Sequence, residues 1–412
     1  MRNKTLIALV VIALLQLQAA VPEAKPEEVG IARERLARIH ETMQRYMEAN
    51  QIAGAVTLVA RKGKVAHVEA HGMFDLESKK PMTKNAVFRI WSMSKPVAAV
   101  AVLMLMEEGK VRLNDPVSKF VPELRGMKVA VAQDRPAGAT GPATYYSIPA
   151  TREITVQDLL THVSGLGSGP TSGAEIVKVV SKGGEKLADV IPRFGATSLD
   201  FQPGSRWTYS ALAAFDTLGR VVEVASGVSF EQFLRTRLFD PLGMKDTSFH
   251  PGEQGWSKVV SAYHRGDNEL KKTANPNWLA STTYYSGAGG LLSTADDYLQ
   301  FAEMLLEGGK LNGKRYLSPK TVELMASVFV PETMPGRQPG RGFGLSVQVV
   351  SDPVAAGQRV SKGSYGWDGA YGTHFWIDPV EKVIGILMIQ TDNPNRQLDR
   401  DFENAVMQAI VE

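Results

Sequence analysis

Trp91-Ser92-Met93-Ser94-Lys95-Pro96-Val97-Ala98-Ala99-Val100-Ala101-Val102-Leu103-Met104-Leu105-Met106-Glu107-Glu108 decides how the rest of this chain is read. From Lys95 to Glu108, apolar side chains fall on nearly every side of a helical wheel, with Val97, Val100, Val102, Leu103, Leu105 and Met106 among them. A surface helix keeps a polar face, so this one lies inside the molecule. Pro96 is tolerated in its first turn, and Gly109 ends it. Such a helix needs other elements around it. Upstream, Gly54–Arg61 and Lys64–Ala70 read as strands joined across Lys62-Gly63 as a hairpin. Before them, Ala32–Ala49 reads as a helix with Leu36, Ile39, Met43 and Met47 on one face. Downstream, from about Val111 to Asn275, short helical pieces alternate with Gly/Pro/Ser-rich loops such as Arg135–Thr144 and Ser164–Gly173. One clear helix there starts after Tyr209, with Ser210 as its cap, Leu212, Phe215, Leu218 and Val222 on its face and Gly227 at its end. After about Gly290, strand signals return at Gly342–Val350, Tyr371–Ile377 and Val383–Thr391, with Asp378–Lys382 turning between the last two. A helix over Leu398–Val411 closes the chain. Strands at both ends and helices between them predict one sheet built from both termini, with a mostly helical insertion.

With 412 residues, the chain exceeds one ordinary domain of ~100–200 residues. Its 44% hydrophobic and 22% charged residues suit a globular core and exclude collagen-like, low-complexity and disordered classes. The formal net charge of +3 gives no reason to expect nucleic acid as a partner. The absence of cysteine excludes thiol catalysis, thiolate metal sites, disulfides and a lipidated cysteine. No internal repeat is present at solenoid or propeller periods.

Residues 1–20 form a separate segment. Arg2 and Lys4 precede an apolar run from Leu6 to Leu15, and Gln16-Leu17-Gln18-Ala19-Ala20 follows. A basic start, a short apolar stretch and small residues describe a signal peptide cleaved near Ala20 and an exported protein, periplasmic or secreted. An uncleaved anchor is the alternative, although a span takes ~20 apolar residues. No later segment is long and apolar enough for a membrane helix.

His-Glu-x-x-His, Gly-x-Ser-x-Gly and Gly-x-x-x-x-Gly-Lys-[Ser/Thr] are all missing. His67 and His71 have i, i+4 spacing, but on a strand that places them ~13 Å apart, which argues against a metal pair. Ser92-Met93-Ser94-Lys95 is the only Ser-x-x-Lys in the chain. On a helical turn, residues i and i+3 share a face, so the Lys95 amine can reach the Ser92 hydroxyl. A serine hydroxyl is a poor nucleophile until a neighbouring base takes its proton. A lysine desolvated against an apolar helix favours its neutral form and can help do so. The helix N-terminus also favours developing negative charge. On the motif alone, a helix cap at Ser92 with a solvated Lys95 fits equally well.

Phe88-Arg89-Ile90-Trp91-Ser92-Met93-Ser94-Lys95-Pro96 resembles the active-site segment of serine β-lactamase-like hydrolases. That group includes class C β-lactamases, D-Ala-D-Ala peptidases and family VIII carboxylesterases. Further matches follow in order: Asp158-Leu159-Leu160-Thr161-His162-Val163-Ser164-Gly165-Leu166, Leu238-Phe239-Asp240-Pro241-Leu242-Gly243-Met244, Gly289-Gly290-Leu291-Leu292-Ser293-Thr294 and Gly342-Phe343-Gly344-Leu345. The resemblance covers roughly residues 28 to 410. It implies that Ser92 is the nucleophile. The family's Tyr-x-Asn stands here as Tyr209-Ser210-Ala211. The resemblance carries over Tyr209 as general base and acid, acting as phenolate or through a hydrogen bond to Ser92. An ordinary phenol stays protonated up to a pKa of ~10, and a cation beside it favours the ionised form. Ala211 replaces an amide that contacts the substrate's acyl side, so that contact is lost.

The family's Lys-Thr-Gly is also replaced. The matching position reads Tyr365-Gly366-Trp367-Asp368-Gly369-Ala370, similar to the esterase branch. A lysine there supplies a cation for a substrate carboxylate. Trp367 supplies an apolar wall with one N–H donor, and Gly369 lets a backbone approach closely. Family geometry implies an oxyanion hole from the backbone N–H groups of Ser92 and Ala370. Asp368 borders the same position, its side chain expected on the other face of the strand. The fold implied is α/β: an antiparallel sheet from residues 25–110 and 285–412, flanked by helices, with a mostly helical region over 111–284.

The expected activity is acyl-enzyme hydrolysis of a small-molecule ester or amide, with no metal or organic cofactor. A carboxylesterase for neutral short-chain esters leads. The alternatives are a β-lactamase or D-Ala-D-Ala carboxypeptidase, for which Arg337 or Arg341 could supply the missing cation, an acyltransferase, or an inactive binding protein for cell-wall peptides.

Overall fold

The computed structural model describes residues 21–133, 144–180, 183–267, 269–274 and 282–412. The expected signal segment, residues 1–20, lies outside the described residues, as do parts of the loops near 135–144 and 275–281.

The sheet is antiparallel and draws on both ends of the chain. Its N-terminal strands are β1 (Gly54–Arg61), β2 (Lys64–Asp75) and β3 (Lys80–Pro81). Its C-terminal strands are β4 (Arg341–Phe343), β5 (Gln348–Val350), β6 (Tyr365–Asp368), β7 (His374–Asp378) and β8 (Val383–Ile389). The order is β4-β5-β6-β7-β8-β1-β2-β3, so β1 docks on β8 with Ala55 opposite Ile389 and Arg61 opposite Val383. Lys62 and Gly63 take φ of +50° and +73°, the left-handed turn that fits the twist of a tight hairpin.

Helices cover both faces. Along β1, Val56, Leu58 and Ala60 face one apolar layer, while Ala55 and Val59 face another. The first layer holds α2 (Ser94–Glu107), α3 (Ala213–Ser226) and α4 (Ala295–Leu306). The second holds α1 (Arg38–Glu48) and α5 (Gln397–Met407). Every residue of α2 from Ser94 to Leu105 is buried. Burying each Val or Leu contributes ~1.5–3 kcal/mol, so the five from Val97 to Leu105 contribute on the order of 10 kcal/mol. That exceeds the cost of several kcal/mol for taking one amine out of water.

Several boundaries differ from expectation. Gly342–Val350 is a hairpin of β4 and β5, because Ser346 takes φ +77° and its N–H donates to Leu160 O at 2.9 Å. A Cβ at Gly344 would meet Met325 O at 2.3 Å, so the turn packs where a side chain cannot. Residues 371–373 stay outside β7, where Gly372 takes φ +87°. Strand β8 ends at Ile389, and Thr391 pairs with Tyr263. β2 runs on to Asp75. Helix α3 starts at Ala213, yet Ser210 Oγ still accepts the Ala214 N–H at 3.1 Å and so serves its first turn. Between α2 and α4, short helices surround the longer α3, alongside strand pairs of Lys128–Ala132 with Tyr145–Pro149 and of Tyr263–Arg265 with Leu270–Lys272. None of the described helices is long and apolar enough to cross a membrane.

Candidate active site

Ser92 sits on a tight turn between the Phe88–Arg89 strand and α2. Trp91 takes φ +47°, a left-handed conformation rare for a bulky residue and costing of order 1–3 kcal/mol. Neighbours hold it there. Ile90 N–H donates to Leu291 O at 3.1 Å, and the Tyr298 hydroxyl donates to Met93 O at 2.9 Å. Ser92 does not cap α2, and the Ser94 hydroxyl instead accepts the Leu291 N–H at 3.2 Å.

Lys95 is not solvated; its relative exposure is 0%. Its Nζ lies 2.8 Å from Ala211 O, 2.7 Å from Ala288 O and 3.2 Å from Ser92 Oγ. Two N–H bonds on the carbonyls leave the third tetrahedral direction aimed at the serine. In that direction an ammonium donates and a neutral amine accepts. On the other side, the Tyr209 hydroxyl lies 2.6 Å from Ser92 Oγ. The serine oxygen is therefore flanked by two proton-exchanging groups within hydrogen-bond reach.

Two buried residues hold these groups, and neither stands out in the sequence. His162 grips the chain on both sides of Tyr209. Its carbonyl accepts from Thr208 N–H at 3.2 Å, its Nδ1 accepts from Ser210 N–H at 3.2 Å, and its ring lies 4.6 Å from that of Tyr209. Burial, and after it the Lys95 charge, push its pKa well below the ordinary value, so the imidazole is neutral. Asp216 accepts from Tyr284 OH at 2.7 Å, Ser286 Oγ at 2.6 Å and Ala288 N–H at 3.1 Å. It thereby pins the loop whose Ala288 carbonyl holds Lys95. His162 lies within a quoted motif, which was its only sequence signal; Asp216 had none.

Ser92, Tyr209, Trp367, Asp368, Gly369 and Ala370 all border one cavity of about 460 Å³. The Trp367 ring lies 5.5 Å from Tyr209 and 5.2 Å from Phe343, forming an aromatic wall. Its indole N–H is buried without a partner among the described residues. A Cβ on Gly369 would fall 2.0 Å from Thr373 Oγ1 and 2.5 Å from Ile90 O, so only glycine lets this strand edge approach the Ser92 turn. Neither Ser92 N–H nor Ala370 N–H donates to an acceptor among the described residues. Ala211 has an exposed side chain and takes part through its carbonyl.

Asp368 turns onto His374, whose Nε2 lies 3.3 Å from Glu403 Oε1. Burial alone would push His374 down, but the two carboxylates hold it well above its ordinary value. Arg341, Arg396 and Arg400 line the same cavity. The Arg337 guanidinium is committed to Arg341 O and to Gly342 O at 2.9 Å and lies 4.3 Å over the Trp207 ring.

A family model described as Beta-lactamase matches residues 39–409. Protein Rv1367c of Mycobacterium tuberculosis is 35% identical over 360 residues, covering 83% of this chain and 87% of that protein. Esterase EstB of Burkholderia gladioli is 30% identical over 395 residues, covering 87% and 90%. The solved structure of EstCE1, described as a hydrolase with promiscuous acyltransferase activity, superposes with a TM-score of 0.76 at 27% identity, covering 91% of this chain and 99% of that one.

Proposed function

The chain belongs to the beta-lactamase family, and from that premise we propose that it is a serine hydrolase working through an acyl-enzyme, a carboxylesterase for neutral esters with short acyl groups. The observation that carries this reading is Ser92 Oγ held between Tyr209 OH and Lys95 Nζ beside the Trp367 wall. Ser92 Oγ attacks the acyl carbonyl, and its proton passes to the Lys95–Tyr209 pair. The Ser92 and Ala370 N–H groups receive the developing oxyanion. As the ester C–O bond breaks, the same pair returns a proton to the leaving alcohol. Water then enters by the reverse proton path, releasing the acid and restoring Ser92.

The preference for neutral substrates rests on Trp367 and Ala211. With no cation at the Trp367 position, burying a substrate carboxylate there costs several kcal/mol, and a lost hydrogen bond to a charged group adds ~1.5–3 kcal/mol. About 2.7 kcal/mol in the transition state corresponds to ~10² in rate. The expected kcat/KM for a short nitrophenyl ester therefore exceeds that for a chromogenic cephalosporin by at least ~10². Trp367→Lys combined with Ala211→Asn should narrow the gap. Comparable efficiency on both substrates in the parent enzyme would restore the β-lactamase or D-Ala-D-Ala carboxypeptidase reading. One observation favours that second reading: Arg341 lines the cavity with a buried Nη2 that lacks a partner among the described residues. Acyl transfer to an alcohol uses the same acyl-enzyme, and the promiscuous acyltransferase activity of EstCE1 supports it as a side activity. Export, periplasmic or secreted, is supported by the basic–apolar–small order of residues 1–20.

A further inference from the structure

A second cluster of chemically capable side chains lies on the opposite side of the sheet, under α1. His67, Glu69 and His71 alternate along β2 and share one face with Thr57 of β1, to which Glu69 is directly paired. Both imidazoles lean onto one hydroxyl: Thr57 Oγ1 lies 2.8 Å from His67 Nε2 and 2.9 Å from His71 Nε2. With its Nε2 so engaged, His71 directs Nδ1 towards Glu69 Oε1, 3.7 Å away. From α1, His40 brings its Nδ1 to 2.7 Å from the same Glu69 oxygen. The two histidine rings are 5.7 Å apart, and one ligand atom from each of the three residues lies within 4.8 Å of the others.

His71 is 3% exposed, yet its Nδ1 has no hydrogen-bond partner among the described residues. Neither tautomer removes that vacancy. With the proton on Nδ1, a buried N–H finds no acceptor in range. With it on Nε2, donated to Thr57, a buried lone pair points at Glu69 and His40. A cation in that space would satisfy it.

We propose that His40, Glu69 and His71 form a binding site for one divalent transition-metal ion of the zinc type, which ties α1 to the sheet. Two imidazoles and a carboxylate are a donor set of that class. Bonds of ~2.0–2.1 Å at tetrahedral angles separate donor atoms by ~3.4 Å, a value between the 2.7 and 3.7 Å seen here. Thr57 is the outer partner that orients a ligating imidazole through its other nitrogen. The Glu69 and His40 side chains are 35% and 49% exposed, so the ion has an entry path and water can take the fourth position. Binding replaces the hydrogen bond between His40 Nδ1 and Glu69 with a bond from each of these atoms to the ion. Lys84 borders the same open cavity, and Gln44 Nε2 lies 3.4 Å from His40 Nε2.

The test uses the chelator-treated full chain, without a histidine tag, and Zn²⁺ alone as the probe. Titration calorimetry should show one Zn²⁺ per chain, and Zn²⁺ should raise the melting temperature. His40→Ala and Glu69→Gln should each weaken binding by at least about tenfold and shrink the melting shift accordingly, while His264→Ala leaves both unchanged. Ester hydrolysis by His40→Ala should equal that of the parent, because the site lies across the sheet from Ser92. Absence of Zn²⁺ uptake by the parent, or an undiminished affinity and melting shift in His40→Ala and Glu69→Gln, would overturn the proposal.

Discussion

In the proposed mechanism Ser92, Lys95 and Tyr209 divide one proton among them, and their geometry assigns a testable share to each. Lys95 has two N–H bonds locked on the Ala211 and Ala288 carbonyls, so only its third direction can exchange a proton with Ser92. The Tyr209 hydroxyl, 2.6 Å from the serine oxygen, is the shorter path. Tyr209→Phe keeps the ring against His162 and Trp367 and removes only that path. General acid–base groups contribute ~10²–10⁴ in rate, so kcat should fall in that range with the melting temperature nearly unchanged. A loss below about tenfold would move the exchange to Lys95 alone. Ser92 and Lys95 were legible in the sequence because their contact spans three residues of one turn. The residues that aim them were not. His162 meets Ser210 across 48 residues, and Asp216 meets Ala288 across 72, separations at which no local pattern survives.

Elements whose own residues settle them were read well. The span of β1, the Lys62-Gly63 turn and the buried helix α2 follow from apolar runs bounded by turn residues. Elements settled by distant packing were not. The β4–β5 hairpin reads as one continuous strand until Ser346 bonds to Leu160 and Gly344 packs on Met325. Helix α4 carries a cost its sequence conceals. Glu303 is 3% exposed, and burial, with Glu307 nearby, pushes its carboxyl up to about 7. An unfolded glutamate titrates at ~4.3. The folded state therefore holds a proton that the unfolded state loses, and stability falls as pH rises from ~4.3 through about 7. Glu303→Gln removes that dependence. Its melting temperature should pull ahead of the parent's as pH rises from 5 to 7, by a margin worth on the order of 2–3 kcal/mol, and the margin should then level off. A margin independent of pH would place the charge of Glu303 elsewhere.

Across the whole molecule, one sheet gathers strands from both ends of the chain, and one apolar cluster runs from Val56 and Ile386 through α2 to Phe215 and Phe230. The joining of distant ends was legible because strand signals cluster at both termini; the register of Ala55 on Ile389 was not, since both strands are buried on both faces and offer no alternation to align. The proposed export predicts a mature chain whose mass begins between Ala20 and Lys25; an intact Met1 on membrane-bound protein would indicate an anchor instead. The central claim is that acyl transfer passes through Ser92, and the mass of the intact protein tests it most directly. After exposure to a serine-directed fluorophosphonate, the parent should gain one adduct that maps to Ser92 and lose its esterase activity in step, while a folded Ser92→Ala variant gains none and hydrolyses nothing. An adduct on another serine, or a Ser92→Ala variant that cleaves short esters at the parent rate, would contradict it.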